Sequence, residues 1–403
     1  MRGAGKITIV AGGLPVLVAW LVGIAGLPPA QRPVSNVLAE VMAVLLVILA
    51  WRFRRGRLAV AAVAVALANY LVRGSLGGEA AEAGLAALAV ALPVNLAVIS
   101  LLRERPITRP VIMLILGVVA IQAWLISNLG GGQGTPASAY VANSFDALVT
   151  APHISRLIFL IAAVFVALAF AARRGTFEGS LLWVLAAGAV ALLSWRGPHA
   201  ATLAFSASQL VLLLGLVEDS YRLAYHDELT GLPGRRALDE ALRSLDGDYA
   251  IAMVDVDHFK RFNDRYGHAA GDQALRMIAI EMQQIGGGGR AFRYGGEEFA
   301  VLFPTATPSK ARDPLEKVRA SIGARRFALR APDRPRKKPE NVRKKSRPPR
   351  LITVSVSIGV AGPNSRRTSS DEVLRAADRA LYRAKGAGRN RVVAAGDKLS
   401  KRR

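Results

Sequence analysis

Mostly apolar runs of roughly 16 to 22 residues, each about long enough to cross a bilayer, recur along the first half of the chain, from Ile7 to about Leu216. They fall at 7–27, 37–51, 58–73, 83–102, 111–129, 157–172, 180–195 and 200–217, and they predict about eight membrane-spanning helices. Asn69, Asn95 and Gln122 lie within these runs and are expected to hydrogen-bond between helices. After Val217 the pattern changes. Val217 to Tyr225 predicts a short linker helix with Tyr221 and Tyr225 on one face, ended by Thr230-Gly-Leu-Pro-Gly234. Leu238, Leu242 and Leu245 return to helical spacing. Tyr249 to Val256 is apolar at nearly every position, as in a strand buried on both faces. Leu275, Ile278, Met282 and Ile285 predict a helix beginning near Gly271, after a tight turn that Gly267 and Gly271 allow. Ala291–Tyr294 and Phe299–Phe303 read as two strands joined by Gly295-Gly296. A helix over Pro308–Ile322, one strand within 351–362 and a helix over Ser370–Ala387 complete the pattern. Asp371 and Glu372 suit the first turn of that last helix, and Lys385 its last turn.

Composition sharpens the division. The chain has 403 residues, is 52% hydrophobic and carries a net charge of +24. A single soluble domain reconciles these values poorly, whereas a membrane half joined to a basic soluble half reconciles them well. Cysteine is absent, which excludes disulfides, thiolate catalysis and cysteine zinc sites. The five histidines form no metal-ligand spacing. Alternate loops of the first half hold Arg2 and Lys6; Arg52, Arg54, Arg55 and Arg57; Arg103, Arg105 and Arg109; and Arg173 and Arg174. The other loops hold only Arg32, Arg73, Arg156 and Arg196. The positive-inside bias then puts both termini in the cytoplasm. The expected organisation is a multi-span anchor or sensor domain over 1–217, a linker helix over 218–226, a catalytic domain over 227–395 and a basic tail over 396–403. Within the catalytic domain, 325–350 is a basic, proline-rich insertion opposed only by Asp333 and Glu340. It suits a solvated loop or a contact with anionic lipid; no aromatic interleaving points to nucleic acid.

Candidate chemistry gathers where apolar strands meet acids. Asp255 and Asp257 interrupt the first strand at its C-terminal end, although a bare Asp-x-Asp also fits a solvated strand end. Glu297 and Glu298 follow the glycine pair. If their strand neighbours that of Asp255, three carboxylates meet at one point and call for a cation such as Mg²⁺. Asn263 and Asp272 can together read a base edge, or simply form the turn between them. Lys385, Arg389 and Arg391 can bind phosphate or cap a helix end.

Five stretches in order give these residues a context: DELTGLPGRRAL (227–238), DVDHFKRFNDRYGHAAGD (255–272), RYGGEEF (293–299), VSIGVA (356–361) and ALYRAKGAGRNRV (380–392). Together they resemble the GGDEF family of diguanylate cyclases, in the variant with Glu at the third position. The resemblance covers about Ala224 to Val393. It implies an α/β sandwich with a central, mainly antiparallel five-stranded sheet, following the α-helical transmembrane bundle. It also implies condensation of two GTP molecules into cyclic di-GMP with release of two pyrophosphates, in a homodimer at a bacterial inner membrane. Carried over, Asp255, the Val256 carbonyl, Glu297 and Glu298 are expected to hold Mg²⁺, or Mn²⁺ in its place. Glu298 is also expected to help deprotonate the attacking 3′-hydroxyl, and Lys260 to neutralise developing phosphate charge. Asn263 and Asp272, with His268 nearby, would read guanine, and Lys385 and Arg389 would grip the terminal phosphates. Two positions depart from the pattern. Gly234 stands where the family often has Asn. Gly286 and Gly289 stand where many members carry an Arg and an Asp that bind product, so that inhibitory site is expected to be absent. A non-catalytic nucleotide binder and a membrane receptor are the rival expectations.

Overall fold

The computed structural model describes residues 6–26, 28–74, 81–130, 152–194, 197–245, 247–328, 351–364 and 368–397. They fall into two compact units, Met1–Tyr221 and Arg222–Arg403. Arg2, Arg196, residues 131–151, most of the basic insertion and the end of the basic tail lie outside the described residues.

The first unit is helical. Among the described residues its helices are α1 (Lys6–Ala25), α2 (Arg32–Arg52), α3 (Gly56–Gly74), α4 (Ala81–Leu101), α5 (Pro110–Gly130), α6 (Pro152–Arg173), α7 (Thr176–Leu193) and α8 (Pro198–Tyr225). Each coincides with one of the eight apolar runs. Seven are long and apolar enough to cross a membrane; in α1 the apolar stretch is the shorter Gly12–Ala25. α3, α7 and α8 are the most enclosed. α2, α5 and α6 turn large apolar side chains outward, among them Val34, Leu114, Trp124, Leu160 and Leu168. So broad an apolar surface suits hydrocarbon rather than water.

Polar groups inside this unit behave in two ways. Asn95 donates to Gln122 at 2.7 Å, joining α4 to α5 as expected. Asn69 does not follow: it is buried, but its Oδ1 has no hydrogen-bond partner. At the expected cytoplasmic end several loop charges are drawn inward. Arg57 is buried and contacts Glu178 at 2.7 Å and Glu104 at 3.2 Å, and Arg173 reaches the same Glu178 at 3.2 Å. Arg55 pairs with Asp219. On the other side Arg73 is likewise paired, with Glu40. The separate linker helix is also corrected. α8 continues without interruption to Tyr225, since no proline and no glycine lies between Gly215 and Gly231 to stop it.

The second unit is a helix–sheet–helix sandwich. Its strands are β1 (Ala250–Val256), β2 (Arg290–Gly295), β3 (Glu298–Phe303), β4 (Phe327–Ala328), β5 (Leu351–Ile352), β6 (Val356–Ala361) and β7 (Val392–Ala394). Its helices are α9 (Arg235–Arg243), α10 (Phe259–Tyr266), α11 (His268–Gln283), α12 (Pro308–Ala324) and α13 (Ser370–Gly386). The main sheet has the order β2-β3-β1-β6-β7, while β4 and β5 pair separately. Every pairing in the main sheet is antiparallel except β6 with β7, so the expected sheet is present.

Alternation along the strands explains the layering. Ala250, Ala252, Val254 and Val256 of β1 enter one core with Ile278 and Met282 of α11 and Leu315 and Ile322 of α12. Ile251 and Met253 enter the other with Leu238 of α9 and Ala377 and Leu381 of α13. The closeness of α13 to the sheet is set by Gly359, where an added Cβ would collide with backbone atoms of Ala377 and Leu381. Pro233 O accepts from the Arg293 amide at 2.8 Å, and Gly234 bridges to Arg293 along β2. Beside β7, Arg383 donates to Ala394 O at 2.8 Å, and the Ala394 amide donates to Asp397 at 2.9 Å.

Three local expectations change. α11 begins at His268, not near Gly271, and α10 precedes it where only a turn was expected. Gly267, with φ +83, supplies the whole turn between them. The strand expected within 351–362 is broken between β5 and β6. Ser355 leaves the ladder because its carbonyl accepts from the Asp257 amide at 2.9 Å and its hydroxyl donates to the Asp257 carboxylate at 2.6 Å.

Candidate active site

The site grows from strand pairing. Asp255 near the end of β1 lies opposite Glu298 at the start of β3. The hairpin Gly295-Gly296 delivers Glu297 to the same place, and Gly296, at φ +45, makes the reversal. Asp255, Glu297 and Glu298 are therefore neighbours, as the motif requires. Lys385 projects from the last turn of α13 and contacts Asp255 at 2.8 Å.

Electrostatics confirms the crowding. Burial pushes the Asp255 carboxyl above its usual range; Lys385 and Arg389 oppose the rise, and Asp257 adds to it. Glu297 is raised by burial and then by the charge of Asp255. Glu298 is raised by the same two causes, with Asp378 adding to them and Lys385 and Arg235 opposing. Each acid thus makes the next harder to ionise. Such a donor set, all hard oxygen and short of positive charge, suits a small divalent cation. The arrangement is not itself a formed cage: among the described residues no three acidic or histidine side chains are grouped as metal ligands. Lys385 supplies the local positive charge instead.

A second group lies on α10 and α11. Asn263 is partly buried, and its Oδ1 is enclosed without a hydrogen-bond partner. Gly271 presses on that oxygen so closely that an added Cβ would collide with it. Asp272, next to Gly271, and His268 are exposed. The fold thus brings Asn263 against the helix turn that carries Asp272. Lys260 is exposed on the first turn of α10, and among the described residues no ion pair or hydrogen bond joins it to the carboxylates. At the site of the missing inhibitory pair, Gly286 has open space, but a Cβ on Gly289 would stand 2.8 Å from the Phe303 ring.

Some functional contacts were not foreseen. Asp227 and Arg293 form an ion pair at 2.6 Å, and Arg293 also donates to Gly296 O at 2.7 Å, clamping the acidic hairpin. Asp257 does not join the carboxylate cluster but faces Ser355, Ser357 and the Asn390 amide. All of these residues stand in or beside the quoted motifs; what the spacing lacked was any sign of who meets whom.

Comparison with known proteins agrees with the motifs. Residues 224–391 match the family described as "Diguanylate cyclase, GGDEF domain". The chain is 39% identical over 184 residues to the diguanylate cyclase DgcP of Pseudomonas aeruginosa, covering 44% of this chain and 25% of that protein. It is 35% identical over 188 residues to the diguanylate cyclase DgcM of Escherichia coli, covering 45% and 40% respectively. The chain therefore spans less than half the length of these curated relatives. A solved structure of the GGDEF domain of DgcB from Caulobacter crescentus, in complex with c-di-GMP, is 34% identical, with a TM-score of 0.36 and coverage of 43% of this chain and 94% of that one. With all five motifs in order and the acids of RYGGEEF beside Asp255, residues 224–391 are a GGDEF domain.

Proposed function

We propose that the chain is a diguanylate cyclase, held at a bacterial inner membrane by its apolar helices, that joins two GTP molecules into cyclic di-GMP. The observation that carries this reading is the pairing of Asp255 with Glu298, which assembles the acids of the GGEEF hairpin beside Lys385. In each of two steps a 3′-oxygen of one GTP bonds to the α-phosphorus of the other. The bond from that phosphorus to pyrophosphate breaks, so two pyrophosphates leave. Glu298, whose proton affinity is raised by burial and by Asp255, takes the hydroxyl proton. Asn263, with its unsatisfied enclosed oxygen, and Asp272 receive the guanine edge, with His268 at the rim. Lys385 and Arg389 hold the phosphates, and Lys260 offsets charge that develops on them. Asp255, the Val256 carbonyl, Glu297 and Glu298 would hold Mg²⁺ or Mn²⁺, which when bound supplies positive charge to the phosphates. Each domain holds one GTP, so turnover needs two domains face to face. The helical unit is read as the anchor and as the receiver of the signal that governs this encounter.

The test uses the full-length protein purified in detergent, incubated with GTP and Mg²⁺, with products separated by liquid chromatography and mass spectrometry. Cyclic di-GMP and pyrophosphate are expected. Bound GTP that is never converted would overturn the reading in favour of a nucleotide-binding relay. A C-terminal reporter that is inactive in the cytoplasm and active outside would overturn the orientation.

A further inference from the structure

We propose that Asp257 is a positioning residue for this reaction: its carboxylate fixes the turn after α13 and, through that turn, the guanidinium of Arg389. The inference rests on the cyclase reading, in which Arg389 grips substrate phosphate. Asp255 and Asp257 look equivalent in sequence, but the fold separates their work. Asp255 faces Lys385. Asp257 is buried and faces protein donors: Ser357 Oγ donates to its Oδ1 at 2.7 Å, while Ser355 Oγ at 2.6 Å and the Asn390 amide at 3.1 Å donate to its Oδ2.

Asn390 belongs to an unusual turn. Gly388, Arg389 and Asn390 follow one another at φ +107, +63 and +46. Glycine accepts such values freely, but two successive residues with side chains do so only where the surroundings hold them. The holding bonds are few. The Gly388 amide donates to Lys385 O at 3.4 Å and the Arg389 amide to Ala384 O at 3.0 Å, while Arg389 O accepts from Arg391 Nε at 3.1 Å. Asn390 Oδ1 accepts from Arg319 at 2.7 Å, and its amide is fixed by Asp257. Asp257, two residues after Asp255 and placed by its bonds beside the sheet, thus grips the turn that carries Arg389. Without Asp257 the left-handed pair loses an anchor, and Arg389 no longer meets the phosphates from a fixed point. Substrate binding should weaken while the acids that carry the chemistry stay in place.

The test is a double-mutant cycle in the full-length protein, read as KM and kcat for GTP and as Kd for a non-hydrolysable GTP analogue. Loss of one charge-assisted contact corresponds to about tenfold in affinity, so Asp257→Ala should raise KM and Kd roughly tenfold with kcat nearly kept. Arg389→Ala should do the same, and the double variant should be no worse than Arg389→Ala alone. Asp257→Asn should restore binding, because its amide oxygen can serve Ser355 and Asn390 while its NH₂ donates to Ser357. Unchanged KM and Kd in Asp257→Ala, a fall in kcat at unchanged KM, or losses that multiply in the double variant would overturn the proposal. If circular dichroism shows Asp257→Ala unfolded, Asp257→Glu, which carries the oxygens one methylene further, takes its place under the same outcomes. Wild-type protein that binds the analogue but makes no cyclic di-GMP ends the cyclase reading and leaves the binding cycle to decide this one; wild-type protein that binds no nucleotide overturns both.

Discussion

Breaking the clamp between Asp227 and Arg293 should loosen the acidic hairpin from a distance. The two side chains are 25% and 12% exposed and meet at 2.6 Å. The same Asp227 oxygen also accepts from the Thr230 amide at 2.8 Å and its hydroxyl at 2.6 Å. Arg293 in turn holds Gly296 O, one residue before Glu297. A hydrogen bond to a charged group contributes roughly 1.5–3 kcal/mol when its partners are shielded, and these are shielded only in part. Asp227→Asn should therefore lower the free energy of local opening by about 2 kcal/mol, which speeds amide exchange in an opening-limited segment roughly 30-fold. Hydrogen–deuterium exchange of the full-length protein, read on peptides covering 227–234 and 293–299, measures both ends of the clamp. Both should accelerate together, although the partners are 66 positions apart. Acceleration at 227–234 with wild-type exchange at 293–299 would refute the coupling. The pH dependence carries a sign. Burial works to raise the Asp227 pKa, but hydrogen bonds from Thr230 and Arg293 outweigh it and leave it below the ordinary 3.8. The group therefore stabilises the fold above that value, and the contribution is lost as pH falls below 3.8 through the folded pKa. The Asn variant should lack that acid-sensitive component.

Asp255→Asn and Glu298→Gln should each reduce cyclic di-GMP synthesis at least about a hundredfold with circular dichroism unchanged. Near wild-type turnover in either would dissolve the assignment of the cluster. Because burial and Asp255 raise the Glu298 pKa above 4.5, its ionised form opposes folding. Glu298→Gln should therefore raise the thermal midpoint at neutral pH, and the gain should fade as pH falls through the raised folded pKa and be gone below 4.5. Gly359→Ala forces a methyl into the backbone of α13 and should destabilise the domain by about 3 kcal/mol, seen as lost expression or a lower melting midpoint. Gly289→Asp should cost about 1–3 kcal/mol through the Phe303 contact and install no product inhibition, as a titration with cyclic di-GMP would show.

Much of this architecture is legible in the residues alone. The long apolar helices stand out because few soluble folds sustain an apolar run as long as a bilayer is thick, and β1 and β3 because each is apolar along all but its acid-bearing end. The acids at Asp255, Glu297 and Glu298 are legible because glycines and charges interrupt those runs at one end. The division of 351–362 is not, because the break comes from Ser355 bonding to Asp257 and not from any breaker residue. The clamp on Arg293 and the anchor at Asn390 join positions 66 and 133 apart. Hydrogen bonds between loops leave no period in a sequence. The extension of α8 to Tyr225 is hidden for a simpler reason: the change from apolar to charged at Glu218 looks like an end, yet the backbone has no cause to stop there.

The two outermost strands of the main sheet bear on how such domains can meet. A bare outer strand offers a row of unpaired amides and carbonyls that invites a second sheet to add on, which is a route to aggregation. Here β2 is flanked by the Pro233–Gly234 segment, which takes the Arg293 amide. β7 is only three residues long, and Ala394 has both its amide and its carbonyl occupied, by Asp397 and Arg383. Strand addition is thus discouraged on both margins. In the two-domain encounter proposed for turnover, copies would then meet by the ends of their strands, where the acids lie, and not by fusing their sheets side by side.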